Sequence, residues 1–101
     1  MSYPVVSTGA GVTRQVLSDH ADLMLVAFRF DKGGLGALHS HPHVQGTYVQ
    51  SGRFRFTLGG EERVVTAGDG FVIAAQQPHG CVCLEAGVLI DSFTPRRDDF
   101  L

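Results

Sequence analysis

The stretch GGLGALHSHPHVQGTYVQSG, residues 33–52, decides how this chain is read. It sets out Gly33, five residues, His39-x-His41, three residues, Gln45, six residues and Gly52. Side chains two apart on an extended strand point to the same face, so His39 and His41 can hold one ion between them. Gln45, four residues beyond His41, keeps that parity and offers a carbonyl oxygen. His79 comes from a second glycine-framed segment and completes three nitrogens and one oxygen, a set that suits Zn, Ni, Fe, Co or Mn. The expected cofactor is therefore a divalent transition metal held in a small β-barrel.

Strand-length runs continue on both sides of this stretch. In residues 23–30, Met24, Val26, Phe28 and Phe30 alternate onto one face before Asp31, Lys32, Gly33 and Gly34 break the run. Phe54, Phe56 and Leu58 alternate with Arg53, Arg55 and Thr57, an apolar-in, polar-out strand. Gly59-Gly60 offers a two-residue turn, with residues 61–66 returning as hairpin partner. Another turn at Gly68-Asp69-Gly70 precedes a short buried strand at 71–73, and two further strands are expected at 81–84 and 88–93. No segment sustains a 3.6-residue period, so little helix is expected. Short strands separated by turn signals predict an all-β sandwich or barrel.

Size and charge bound the function. At 101 residues and 10.8 kDa the chain has room for one hydrophobic core, so a single domain over 1–101 is expected. A net charge of −2 supplies no basic stripe, which argues against a nucleic-acid partner. No apolar run approaches the roughly 20 residues that span a bilayer, and MSYPVVSTGAGVTRQ lacks the features of a signal peptide. No membrane association and a cytoplasmic location are expected. Cys81 and Cys83 are too few and too close for a disulfide framework.

The second glycine-framed segment runs Gly68, five residues, Ala74-x-Gln76, two residues, His79, three residues, Cys83. Together the two segments resemble the paired motifs of the cupin superfamily, G-x5-HxH-x3,4-E-x6-G and G-x5-PxG-x2-H-x3-N. Gln45 stands in place of the glutamate, and Ala74, Gln76 and Cys83 in place of the Pro, Gly and Asn. The 15 residues between Gly52 and Gly68 suit a short single-domain cupin, a double-stranded β-helix or jelly-roll barrel with its core over about residues 12–95.

HSHPHVQ, YVQSGRFRF, the GGE hairpin, AGDGFVIAAQQPHG and the closing DSFTPRRDDFL resemble the KdgF group of pectin-degradation cupins. Glutamine in place of glutamate is that group's own pattern. Val44 stands where the group usually carries an acidic residue, and the chain after Ile73 is less proline-rich. The resemblance implies metal ligands at His39, His41, Gln45 and His79, and an active-site trio of Asp91, Phe93 and Arg97. It also implies a reaction: 4,5-unsaturated monouronates from pectin or alginate breakdown are opened to linear keto-aldehydes. In that chemistry Asp91 is the candidate proton shuttle, Phe93 packs on the sugar ring, and the planar fork of Arg97 suits a uronate carboxylate. The partner is then a small sugar acid. The alternatives are a non-catalytic cupin that binds metal or a sugar acid, and a cupin oxygenase or isomerase acting on another small molecule. Cupins often dimerise by exchanging an N-terminal strand, so a homodimer is expected, with residues 12–18 as the exchanged segment.

Plainer roles stand beside these. Gln45 can be a hydrogen-bonding neighbour and not a ligand, and Asp91 can simply anchor a strand end. Arg97 can pair with Asp98, Asp99 or the terminal carboxylate. His43 shares the inward parity, but Pro42 interrupts the strand, which makes His43 pocket lining or surface. Cys81 and Cys83 read as small core residues. His20, between Asp19 and Ala21, reads as an exposed turn residue.

Overall fold

In the computed structural model, which describes residues 2–101, eight strands follow one another. They are β1 Val5–Gly9, β2 Val12–His20, β3 Leu23–Phe30, β4 Leu35–His39, β5 Val44–Leu58, β6 Glu61–Thr66, β7 Gly70–Ile73 and β8 His79–Thr94. A 3₁₀ turn at Asp98–Phe100 is the only helix among the described residues. No helix there is long and apolar enough to cross a membrane.

The two longest strands carry the architecture. β5 and β8 pair antiparallel from Val44 opposite Thr94 to Leu58 opposite His79. Their register slips between Val49 and Phe54, where Gly52 takes a φ of 85° and lies against Gly87. A Cβ on Gly52 would sit 2.6 Å from the Glu85 carbonyl oxygen and 2.7 Å from the Gly87 Cα, so both positions require glycine. The bulge bends the paired strands without parting them. Beyond it the sheet folds over: Val49 and Leu89 on one side pack with Phe54, Phe56 and Cys83 on the other, and Val12, Phe30 and Val65 complete that core. Phe30 and Phe54 meet edge to face at 5.2 Å. A smaller cluster of Val16, Met24, Val26 and Phe93 fills the end nearer the histidines. This is the jelly roll that the sequence predicts.

Two expectations change in detail. Residues 81–84 and 88–93 are not separate strands but the two halves of β8, and 54–58 is the far half of β5. Glycine reads as a break in one dimension, whereas here it permits a bend within continuous pairing. Residues 12–18 pair inside the chain, with β3 on one side and β1 on the other. The free edge at that end of the sheet is therefore β1.

The Gly59-Gly60 hairpin forms as expected, with Leu58 opposite Glu61 and φ positive at both glycines, as a tight primed turn requires. Met24, Val26 and Phe30 are buried on one face of β3, and Phe28 on that face lines the cavity described next.

Candidate active site and metal centre

His39 ends β4 directly opposite His79, which begins β8. The chain then leaves the sheet for Ser40 to His43, where Pro42 removes a ladder donor, and re-enters it as β5 with Gln45 at the second position. The histidine pair is thus not on one strand, as parity alone suggests. The rings still converge: His39 and His79 centroids lie 4.3 Å apart, His41 and His79 4.8 Å, and His39 and His41 5.5 Å. Convergence comes from the β4–β8 pairing and from a tether on the loop. Gln76 N–H donates to the His41 carbonyl at 2.7 Å from a left-handed backbone with φ of 64°.

The donor chemistry of these residues fits a metal ion. Each Nδ1 faces a backbone carbonyl two residues away: Ala37 O at 2.7 Å for His39, His43 O at 3.1 Å for His41, and Gln77 O at 2.9 Å for His79. Nδ1–H donation to a carbonyl fixes the tautomer and leaves Nε2 with its lone pair. The Nε2 of His79 is buried with no hydrogen-bond partner. The His41 Nε2 lies 3.0 Å from the Gln45 Oε1, so with Nδ1 donating, two acceptors face each other. A cation resolves both anomalies. Ligand nitrogens of the three histidines lie within 4.8 Å of one another. Burial, the largest cause for both, holds His41 and His79 below the ordinary imidazole pKa, in the neutral form that binds metals.

A chain of hydrogen bonds leads away from this cluster. Gln45 Nε2 donates to Thr47 Oγ1 at 3.0 Å, and Thr47 Oγ1 donates to Asp91 Oδ1 at 2.7 Å. Gln45, Thr47 and Asp91 are all buried, on inward positions of β5 and β8 that face each other across the ladder. Burial pushes the Asp91 carboxyl up to about 7, and hydrogen bonds from Thr47 and Gln45 and the Arg97 charge only partly offset this. Phe93, next but one along β8, packs its ring edge-on to His41 with centroids 5.7 Å apart. His39, Gln45, His79, Asp91, Phe93 and Arg97 all line one cavity of about 210 Å³. That is below the roughly 300 Å³ at which pockets for drug-sized ligands begin, and it suits a monosaccharide.

Arg97 differs from expectation. Its Nε and Nη2 donate to the two carboxylate oxygens of Asp99 at 3.0 and 2.9 Å, so the fork expected to meet a uronate already holds a carboxylate. The guanidinium stacks over Phe93 at 5.1 Å and Phe100 at 4.2 Å. The Arg97 hydrogen bond holds Asp99 below the ordinary carboxylate range.

His43 lines no metal position; its Nε2 lies 3.1 Å from the Arg96 carbonyl and its ring packs on His41 and Phe93. Cys83 is core, and Cys81 lines the cavity as a thiol that burial pushes up to about 12. His20 is exposed, accepting from the Asp22 N–H at 3.1 Å.

Three cavity or network residues escape a sequence reading. Thr47 carries a signal, since it lies two beyond Gln45. Arg14 carries one too: between Val12 and Val16, strand parity points it inward. Phe100 carries none, because it lies beyond the last strand.

Fold and site together define a small jelly roll whose three clustered histidines are able to hold a metal ion, with a buried carboxylate beside them. Residues 26–91 match the Cupin domain family, and the chain belongs to it. Within that family it is similar to the pectin degradation protein KdgF of Dickeya dadantii strain 3937, at 41% identity over 97% of this chain and 91% of that one. Among solved structures, KdgF from Halomonas sp. superposes with a TM-score of 0.93 at 40% identity, covering 98% of this chain and 92% of that one. An RmlC-like cupin from Shewanella frigidimarina NCIMB 400 also gives a TM-score of 0.93, at 41% identity, over 98% of this chain and 89% of that one.

Proposed function

We propose that this protein opens the ring of 4,5-unsaturated monouronates released by pectin or alginate breakdown, yielding linear keto-aldehydes. The observation that carries the reading is Asp91, a buried carboxyl that shares a sugar-sized cavity with the histidine cluster, Phe93 and Arg97. The near full-length likeness to KdgF proteins supports the substrate class.

The reaction balances without a redox partner. The anomeric hydroxyl gives up its proton, C1 becomes a carbonyl as the bond to the ring oxygen breaks, and the freed enol takes a proton at C4 to become a ketone. His39, His41, His79 and Gln45 would hold a divalent transition ion, which supplies Lewis-acid stabilisation of a substrate oxygen that becomes negative. Asp91 takes the anomeric proton and returns it to C4; a carboxyl near neutrality serves both directions. Thr47 keeps Asp91 oriented through its 2.7 Å hydrogen bond. Phe93 presents an apolar surface to the sugar ring. Arg97, held in place by Asp99, contributes positive charge that favours the ionised form of Asp91.

Replacing Asp91 with Asn tests the assignment on 4,5-unsaturated galacturonate. Turnover should fall on the order of 100-fold or more while bound metal is unchanged. Normal turnover in that variant would remove Asp91 from the proton path.

The reading extends to context: one domain, acting in the cytoplasm as a homodimer. The outer face of the sheet supports association, with Leu23, Tyr48 and Val72 all about half exposed or more. The unpaired edge of β1 supports it as well.

A further inference from the structure

One charged group at the cavity has neither a hydrogen-bond nor an ion-pair partner among the described residues. Arg14 lies on β2 between the buried Val12 and Val16, at an inward position where strands normally place apolar side chains. Its guanidinium lines the same cavity as His39, His79 and Asp91, 4.3 Å from the centroid of the Phe100 ring. Its Nε is buried without a hydrogen-bond partner, and Arg14 enters none of the ion pairs formed among the described residues. Burying part of a guanidinium with an unsatisfied donor costs stability, and stacking on Phe100 leaves that N–H unsatisfied.

The contrast with Arg97 decides which arginine is available. Both guanidiniums stack on Phe100, yet Arg97 has Nε and Nη2 committed to Asp99, whereas the donors of Arg14 are uncommitted. A planar fork with free N–H groups, stacked on an aromatic ring at the wall of a small cavity, matches the geometry of a carboxylate.

We infer that Arg14, stacked on Phe100, binds the carboxylate of the sugar acid and is the residue that selects acids over neutral sugars. The inference rests on the sugar-acid reading of the same site, and it moves the role that the family resemblance implies for Arg97 onto a residue from the other end of the chain. Arg97 then serves as a positioning and electrostatic residue, tied to Asp99.

The test uses metal-loaded protein and two probes, D-galacturonate and its methyl ester, measured by calorimetric titration. Wild-type protein should prefer the acid. Arg14→Gln should weaken acid binding about 10- to 100-fold and leave ester binding within about 3-fold, so the preference collapses. Arg14→Lys, which keeps the charge but not the fork, should restore part of it. Arg29→Gln, the same charge change at an exposed β3 position, should alter neither probe. Equal loss of both probes in Arg14→Gln would make Arg14 a packing residue and overturn the inference. So would a wild-type protein indifferent to the acid, or an acid preference that survives in Arg14→Gln. Failure of the ring-opening reading shows separately, as wild-type protein that does not turn over 4,5-unsaturated galacturonate, and it leaves this binding comparison intact.

Discussion

Asp91 is placed at a cost to stability. Its folded-state pKa of about 7 lies above the ordinary 3.8, so between these values the folded protein holds more protons than the unfolded chain. Stability from this group is therefore greatest at acid pH and is lost as pH rises towards 7. A rise of that size corresponds to on the order of 4 kcal/mol at neutral pH and above. His41 and His79 act in the opposite sense: their depressed values cost nothing above about pH 6.5 and penalise the fold as pH falls below it. In chelator-stripped protein, Asp91→Asn removes the carboxylate share alone. Its melting temperature should exceed that of wild type most at pH 8, with the gap closing towards pH 4. A gap independent of pH would mean that Asp91 is ionised throughout. The histidines were legible in sequence because two spaced motifs specify them. For Arg97 the sequence offers Asp98, Asp99 and the terminal carboxylate as partners, and only the fold selects Asp99 among them. The inward position of Arg14 follows only once residues 12–18 form a strand of this sheet with Val12 and Val16 buried on either side of it.

The pairing of β5 with β8 stands or falls at Gly52 and Gly87. A Cβ on Gly87 would run into the Ser51 carbonyl and lie 2.5 Å from the Gly52 Cα, all backbone that cannot rotate aside. Gly68, like Gly52, has a positive φ, here 96°, but nothing lies within 4 Å of its added Cβ. Gly68→Ala should therefore cost only the backbone term, about 1–3 kcal/mol by denaturant titration. Gly87→Ala should cost more, beyond about 4 kcal/mol, or prevent folding. Similar losses in the two variants would show that the bulge yields easily. Alternation identified β3 and the far half of β5 with their faces, and Gly59-Gly60 fixed the hairpin that returns as β6. Alternation did not reveal that β5 and β8 each run unbroken through the bend, because continuity there depends on a partner strand distant in sequence.

For the whole molecule, two long strands bent together bring the start of β8, the end of β4 and the start of β5 to one cavity, so His79, His39 and Gln45 meet from separate segments without a helix to position them. Sequence carried the class of fold and the histidine cluster; the buried chain from His41 through Gln45 and Thr47 to Asp91 needed three dimensions. The most direct measurement follows the loss of enol-ether absorbance of 4,5-unsaturated galacturonate with wild-type protein, chelator-stripped protein, protein reloaded with a divalent metal, and no protein. Acceleration over spontaneous opening, lost on stripping and restored on reloading, is the expected result. No acceleration by protein whose bound metal has been confirmed would contradict a ring-opening function.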